Sequence, residues 1–577
     1  MLNAIISVYN KDGLIELANN LIDNKYFIWS SGGTYRYLQK YLSSFRSKNV
    51  FKVQDLTKFP EILNGRVKTL HPCVYGGILA DHDNMTHKID LESHGLKCFD
   101  LVVVNLYPFS EVVKNPTHTE AQAIENIDIG GVSLIRAAAK NYKCVNVLTN
   151  PNQYNEWINS SSNIFYRKQL AKKAFHYIAD YDIKIADYLD DDDEIIYRIY
   201  KTQKNLKYGL NPNQKIAKLA SINDSNLPFT ILNGNPGYIN MIDAIQSWKL
   251  VSEIQDVTGL LAISSFKHTT PTGVALGIPP STEEYEYFGV DKTIGIQALT
   301  FLRARDIDPL SSFGDFLACS CVVNLELAKK IKPFVSDGII AKGYEKEALE
   351  LLEKKKGGKY IILESNKLFK DNIERYECRE YSGLTLIEEP NNAIIKDDWF
   401  NNVPTSKKEV SSITKHNLII ANILLKYTPS NSIAYSHLGR VVSVGAGQQN
   451  RVDCVKLAGN KWINWLLRRH PNVLKYRKEL ENKKCHKKQE IINKVYEFIS
   501  ENWEELIHGE YLIKNKDGVC LASDGFFPFQ DNIEVANEYG VKYIIQPGGS
   551  IADSSVVESC DSFGITMVMS GHRMFYH

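Results

Sequence analysis

Short apolar runs at residues 4–8, 26–30, 101–105 and 144–149 alternate with helically patterned segments, and each run ends in polar residues. An unbroken apolar run that stops at a polar residue marks a buried parallel strand rather than a half-exposed one. Residues 13–24 repeat their apolar positions at helical spacing, and a second helical stretch follows Gly32-Gly33. This alternation restricts the first 150 residues to a doubly wound α/β domain. The ligand of such a domain lies beyond the carboxyl ends of its strands, so the polar residues ending each run are the candidate site.

At 577 residues the chain exceeds what one core supports. Helical patterning over residues 167–189 meets Asp190-Asp191-Asp192-Asp193-Glu194, a run too charged to pack. The boundary is therefore expected near residues 190–205, giving domains of residues 1–195 and 196–577. The second is mixed α and β, with room for two subdomains, because Lys267-His268 and Asn431 each follow an apolar, strand-like run. Net charge is +1, which argues against a protein that coats nucleic acid or an anionic membrane. The basic clusters at residues 354–356 and between Lys475 and Lys488 read as solvated helix faces.

Ten cysteines are scattered without a CxxC pair; Cys319-Ser320-Cys321 alternates along an expected strand, and Cys485-His486 stands alone. No zinc site is expected, and a reducing compartment fits better than a secreted scaffold. The N-terminus enters a strand without a basic leader, and no apolar run has the length to span a bilayer. A cytoplasmic, multidomain enzyme is the expectation.

Four polar clusters fall at the strand ends of the first domain. Ser7-Val8-Tyr9-Asn10-Lys11 follows the first run, and Ser31-Gly32-Gly33-Thr34 the second. Consecutive glycines let backbone N–H groups converge on an anion, and the helix beginning there adds its positive end. Gly65-Arg66-Val67-Lys68-Thr69-Leu70-His71-Pro72 gathers two cations and a hydroxyl in one loop. The fourth cluster runs from Val104-Asn105-Leu106-Tyr107 to Asp128-Ile129-Gly130-Gly131, then through a helix to Lys140. By residue type alone Asp128 is a helix cap and Lys140 a cation complementing the helix dipole.

In the second domain, Lys267-His268, Ser311-Ser312-Phe313-Gly314-Asp315, Val335-Ser336-Asp337, Asn431, Gly445-Ala446-Gly447-Gln448-Gln449-Asn450-Arg451 and Ser523-Asp524-Gly525-Phe526 combine glycines with single polar groups. Turns, caps and core aromatics are the plain readings of each.

In this order the motifs resemble the bifunctional purine-biosynthesis family, which joins an inosine monophosphate cyclohydrolase domain to an aminoimidazole carboxamide ribotide transformylase domain. SGGT, GRVKTLHP, NLYPF and IDIGGVSLIRAAAKN carry the first half, and the clusters from Lys207 to Arg573 the second. The resemblance implies a methylglyoxal-synthase-like doubly wound domain followed by two cytidine-deaminase-like α/β subdomains without zinc. It implies that Ser7, Tyr9, Asn10, Lys11, Ser31, Gly32, Gly33, Thr34, Arg66, Val67 and Thr69 hold the nucleotide. Val104, Asn105, Asp128 and Ile129 would read the base, and Lys140, Lys68, Tyr107 and Asp128 would serve cyclisation, with Lys140 the principal catalytic group.

For formyl transfer from 10-formyltetrahydrofolate, the resemblance implies His268 as base, Lys267 as oxyanion stabiliser and Asn431 as the group orienting the formyl. Lys207, Tyr208, Gly314, Asp337, Arg451, Phe526 and Arg573 would bind the ribotide, and Val452, Asp531, Ser550 and Ile551 the folate. It further implies a homodimer with shared transformylase sites and a structural potassium ion. The family pattern has Arg-Tyr where this chain has Lys207-Tyr208, which keeps the charge but loses the bidentate fork. An enzyme with one working half, or a non-catalytic nucleotide or folate sensor, are the alternatives. A sensor would be expected to have lost catalytic positions, yet Lys140, Lys267, His268 and Asn431 are all present.

Overall fold

The computed structural model describes residues 2–192, 194–222, 226–366, 375–483 and 487–577, so Cys485-His486 lies outside the described residues. The chain divides into two compact units, Met1–Arg198 and Ile199–His577. Among the described residues no helix is long and apolar enough to cross a membrane.

The first unit is built on five strands: β1 (Leu2–Val8), β2 (Tyr26–Ser30), β3 (Val50–Lys52), β4 (Leu101–Asn105) and β5 (Asn146–Leu148). They lie in the order β3-β2-β1-β4-β5, every neighbouring pair parallel. All five residues of β4 are buried, which is why its sequence is an unbroken apolar run. Strand order reverses between β1 and β4, and that switch point opens a crevice at their carboxyl ends. Helix Ile164–Leu189 packs Leu170, Ala174 and Ile178 into the same core.

The second unit holds β6 (Tyr200–Asn205), β7 (Lys218–Ile222), β8 (Phe229–Asn233), β9 (Ala262–Lys267), β10 (Thr270–Leu276), β11 (Asp315–Val323), β12 (Ser336–Tyr344) and β13 (Ile361–Ser365). It continues with β14 (Glu377–Tyr381), β15 (Leu384–Glu388), β16 (Ile433–His437), β17 (Arg440–Gly445), β18 (Val519–Ser523), β19 (Val541–Gln546) and β20 (Thr566–Met569). Eleven of these form one sheet, in the order β20-β19-β18-β16-β17-β10-β9-β11-β12-β13-β8.

The order contains a duplication. An antiparallel hairpin (β9–β10, then β16–β17) is followed by an antiparallel strand (β11, β18) and two parallel ones (β12–β13, β19–β20). The halves join where β10 meets β17, at Ala275 and Arg440. On one face a continuous core, including helices Tyr238–Thr258 and Ser412–Leu425, spans both halves; on the other each half has its own core. The run before Asn431 is thus a buried helix, not a strand. Residues Leu418–Leu425 are apolar all round but for Asn422, so over that run period cannot tell the two apart, and only length favours the helix.

Candidate functional site

At the switch point of the first unit, sheet register sets Val8 of β1 beside Asn105 of β4. The Asn105 amide accepts from the backbone N–H of Tyr9 at 2.6 Å and of Asn10 at 2.8 Å, and donates to the Asn10 carbonyl at 2.9 Å. Both ends of that amide are therefore engaged with the loop after β1, beside buried Val104. Ser7 lies on β1 one residue before Val8. Lys11 Nζ folds onto the Tyr9 carbonyl at 2.9 Å, and burial lowers its pKa.

Thr34 Oγ1 accepts from the Val8 N–H at 3.1 Å and donates to its carbonyl at 3.0 Å, which ties the helix Gly32–Tyr41 to β1. Buried Ser31 Oγ, at the N-terminus of that helix, has no hydrogen-bond partner among the described residues. Gly33 is exposed, and the N–H of Gly32 donates to Glu61 Oε1 at 2.9 Å. A carboxylate of this chain sits where the helix N-terminus would receive a phosphate.

The loop from Gly65 to Pro72 leaves a tight reversal, with Ile62 bridged to Val67 and positive φ at Leu63, Asn64 and Gly65. Arg66 pairs with Glu125 at 2.5 Å, both exposed. Lys68 Nζ donates to Tyr107 Oη at 3.1 Å, and the Tyr107 ring stands edge-on to Tyr9. Buried Thr69 packs on Gly130, where a Cβ would lie 2.9 Å from its Oγ1. Asp128 Oδ1 accepts from the Gly131 N–H at 2.6 Å, capping the helix Gly130–Lys140, with Ile129 exposed beside it. Burial pushes the Asp128 carboxyl up, opposed by the Gly131 bond and the charge of Lys68. Lys68, Thr69, Tyr107 and Asp128 therefore form one cluster.

Lys140 does not join it. The helix Gly130–Lys140 leaves the cluster and runs back along the sheet, so Lys140 is exposed at its far end. Asn141, the next residue, donates to the carbonyls of Ile78 and Ala80, at the end of the helix Pro72–Leu79 that leads away from the Thr69 loop. Eleven residues at the helical rise span about 16 Å, beyond the reach of a lysine side chain. A crossover helix returns to the amino ends of the strands, so a residue near Asp128 in sequence finishes on the opposite edge. Within one copy Lys140 thus stands apart from Lys68, Thr69, Tyr107 and Asp128, in the position of a helix-dipole complement.

In the second unit Lys267 closes β9, and His268 and Thr269 make the turn into β10. Lys267 Nζ donates to the Phe313 carbonyl at 2.5 Å, and His268 is exposed. Both line a cavity of 530 Å³ with Thr272, Asp308, Ser311 and Lys461. Gly314, with φ 77°, precedes β11, and Asp315 is fixed by Ser265 at 2.7 Å and Arg305 at 3.2 Å. Asp337 of β12 pairs with Lys356 at 2.6 Å.

Asn431, which follows a cis peptide bond, accepts from Arg451 Nη2 at 2.8 Å and donates to the carbonyls of Gln448 at 3.0 Å and Gln449 at 3.2 Å. Arg451 also donates to Asp524 and, at 2.9 Å, to Ser523. Asn431, Arg451, Val452, Phe526 and Asp531 line a second cavity, of 620 Å³, with Phe575. Arg573 stacks on the Phe575 ring at 4.6 Å. Both cavities are of the size that takes a small-molecule ligand. Lys207, Tyr208, Gly314, Asp337, Ser550 and Ile551 line neither of these two. Lys207 Nζ lies 5.5 Å from the Tyr208 ring centroid, Ser550 Oγ accepts from the Ala552 N–H at 3.1 Å, and Ile551 is fully exposed.

Glu61 and Asp243 are site neighbours to which no sequence motif points. Of the basic run expected to be a solvated face, Lys354 and Lys356 are exposed, but Lys355 is buried, its Nζ 3.1 Å from Ser336 Oγ, and burial lowers its pKa to about 8. Positive φ at Lys356, Gly357 and Gly358 makes the turn beside which Lys356 meets Asp337, and Gly357-Gly358 is the sequence signal for it. Among the described residues no group of three or more His, Cys, Asp or Glu side chains is placed to hold a metal ion.

The family described as the AICARFT/IMPCHase bienzyme matches residues 138–461, and the MGS-like domain matches residues 13–133. A bifunctional purine biosynthesis protein PurH from Prochlorococcus marinus (strain MIT 9211) is 34% identical over 591 residues, covering 100% of this chain and 99% of its own. The PurH of Lactobacillus acidophilus is 34% identical over 596 residues, with 100% of both chains covered. A solved structure titled "Crystal structure of ForH" is 30% identical and covers 33% of this chain and 97% of its own, with a TM-score of 0.30, too low to bear on the fold. The chain belongs to the AICARFT/IMPCHase bienzyme family, the bifunctional purine-biosynthesis enzymes that join aminoimidazole carboxamide ribotide transformylase to inosine monophosphate cyclohydrolase.

Proposed function

We propose that the second unit transfers the formyl group of 10-formyltetrahydrofolate to the 5-amino group of the ribotide, and that the first unit closes the product to inosine monophosphate. The observation that carries this reading is the placement of Lys267 and His268 together at the mouth of a ligand-sized cavity, in a chain matched to its relatives from end to end. His268 takes the proton of the ring amine as its nitrogen bonds the formyl carbon. Lys267 stabilises the tetrahedral oxyanion, and the carbon–N10 bond then breaks as N10 regains a proton. Asn431 orients the formyl group, its own amide held by Arg451, Gln448 and Gln449. Lys207, Tyr208, Gly314, Asp337, Arg451, Phe526 and Arg573 bind the ribotide; Val452, Asp531, Ser550 and Ile551 lie along the folate.

In cyclisation the carboxamide nitrogen attacks the formamide carbon and water is lost. An amide nitrogen is a weak nucleophile, so orientation in a preformed pocket matters most. The Lys68–Tyr107 contact at 3.1 Å supports a polarised hydroxyl at the developing oxyanion, with Asp128 holding the amide. Lys11, the turn at Ser31, Gly32, Gly33 and Thr34, and the loop at Arg66, Val67 and Thr69 take the phosphate; Tyr9, Asn10, Val104, Asn105 and Ile129 enclose the base.

The enzyme works in the cytoplasm as a homodimer. Its nine described cysteines are all free thiols, which suits a reducing compartment. Lys267-His268 and Asn431-Arg451 line different cavities of one copy, which supports a site completed by a second.

A coupled assay following tetrahydrofolate release and inosine monophosphate formation separately tests both halves. His268→Ala should abolish formyl transfer and leave cyclisation of supplied formyl-ribotide nearly intact. Lys68→Ala should do the reverse, whereas Lys140→Ala should cyclise within a few-fold of wild type. Equal loss of both activities in either site variant would sink the two-site reading, and a dead Lys140→Ala would return that residue to the chemistry.

A further inference from the structure

The turn carrying Lys267 and His268 is held by a side chain that the roles above leave unused. Two residues, His268 and Thr269, connect β9 to β10, with φ of 55° and 62°. Hairpin turns of this shape favour glycine or asparagine, because a Cβ in the left-handed region meets the backbone. A histidine followed by a β-branched threonine is therefore a costly choice, and something outside the hairpin must hold it.

That group is Asp243. It stands in the second turn of helix Tyr238–Thr258, is only 6% exposed, and its Oδ1 accepts from the Thr269 N–H at 2.7 Å. Within the turn, Thr270 Oγ1 contacts the His268 carbonyl at a long 3.4 Å. Burial, with the charge of Asp337, pushes the Asp243 carboxyl up to about 6, and the Thr269 N–H opposes that shift. One helical turn earlier, Asn240 reaches the Asp337 carboxylate at 3.5 Å, so one short stretch of helix touches both the catalytic turn and a ribotide-binding strand.

We propose that Asp243 is a positioning residue for formyl transfer, its carboxylate fixing the turn from Lys267 to Thr270 in the left-handed geometry that presents Lys267 and His268 to their cavity. The proposal rests on the reading of Lys267 and His268 as the transformylase groups. A displacement of about 1 Å at a catalytic group is worth on the order of 100-fold in rate.

The test uses the full-length enzyme. Asp243→Ala should lower kcat for formyl transfer by about 100-fold, with KM for the ribotide held within about threefold and cyclisation unchanged. Asp243→Asn, which keeps an acceptor oxygen, should recover most of the rate. Adding Thr269→Gly to Asp243→Ala should recover part of it, since glycine enters the left-handed region freely. Hydrogen exchange at the Thr269 amide, protected in the wild type, should become fast in Asp243→Ala alone, which reads the brace without reference to activity.

Asp243→Ala with kcat within threefold of wild type, or with only KM raised, overturns the proposal. So does a misfolded Asp243→Ala for which Asp243→Asn, folded and with Thr269 protected, is equally inactive. A wild-type chain that cyclises but transfers no formyl group overturns the underlying reading instead.

Discussion

Glu61 and Asn105 show how single side chains shape the site proposed for cyclisation. Asn105 joins the end of β4 to the loop after β1 through three bonds to main chain, and so shapes the crevice rather than offering a free amide to the base. Glu61 gives the Gly32 N–H a carboxylate partner in the place proposed for the ribotide phosphate. A phosphate bound there would have to displace that carboxylate, because two anions cannot share the helix N-terminus. Glu61→Gln is therefore expected to tighten inosine monophosphate binding by roughly three- to tenfold, the range of a dipole-site charge interaction. Titration of the purified variant against wild type checks this; weaker binding would assign Glu61 a role in holding the nucleotide. No spacing in the sequence points to Glu61, because the contact spans 29 residues across two loops.

Between elements, the joint of the two halves of the long sheet is ionic as well as apolar. Asp306, at the end of helix Ile296–Arg305, accepts from Arg468 at 2.8 Å and Arg469 at 2.5 Å, the two residues that end helix Arg451–Leu467. Arg468 also donates to the carbonyls of Asp306 and Ile307. Removing the shared carboxylate strands two buried guanidiniums, so Asp306→Ala should cost about 3–5 kcal/mol, read as a lower urea midpoint. Burial pushes the Asp306 carboxyl up, but the two guanidiniums overcome it and hold the group at about 2, below its ordinary 3.8. A carboxyl depressed in the folded state contributes stability that is full above about pH 4 and lost as pH falls through about 2. The urea midpoint should therefore fall more steeply between about pH 5 and pH 2 in wild type than in Asp306→Asn. Equal slopes would remove Asp306 from the acid response. The same scale shows where periodicity misleads: the apolar run Leu418–Leu425 ends a buried helix instead of forming a strand, and a basic run holds the buried Lys355.

For the whole molecule, the decisive property is that the groups proposed for formyl transfer are spread over two cavities of a single copy. If each transformylase site takes His268 from one copy and Asn431 from the other, inactive His268→Ala and Asn431→Ala chains should complement each other. Co-refolded in equal amounts, half the dimers are mixed, and each mixed dimer has one intact site of two. Formyl transfer should return to roughly a quarter of wild type. No recovery, with mixed dimers shown by capture of differently tagged chains, would place both residues in a site within one copy.

Local periodicity and motifs contiguous in the chain were enough to give four of the first unit's five strands, the polar residues that follow β1, β2 and β4, and the Lys267-His268 pair; β3, only three residues long, carries too little pattern to be read. The sequence by itself also carried the family, through many motifs in one fixed order. Only the tertiary structure decided which residues meet. It gathered Lys68, Thr69, Tyr107 and Asp128 at a switch point, and carried Lys140 to the opposite edge because a crossover helix must return to the start of the sheet. It set Asp243 under the turn from Lys267 to Thr270 and Lys356 beside Asp337. Contacts of this kind are fixed by packing and by the direction each element must run, and neither is written in the spacing of residues along the chain.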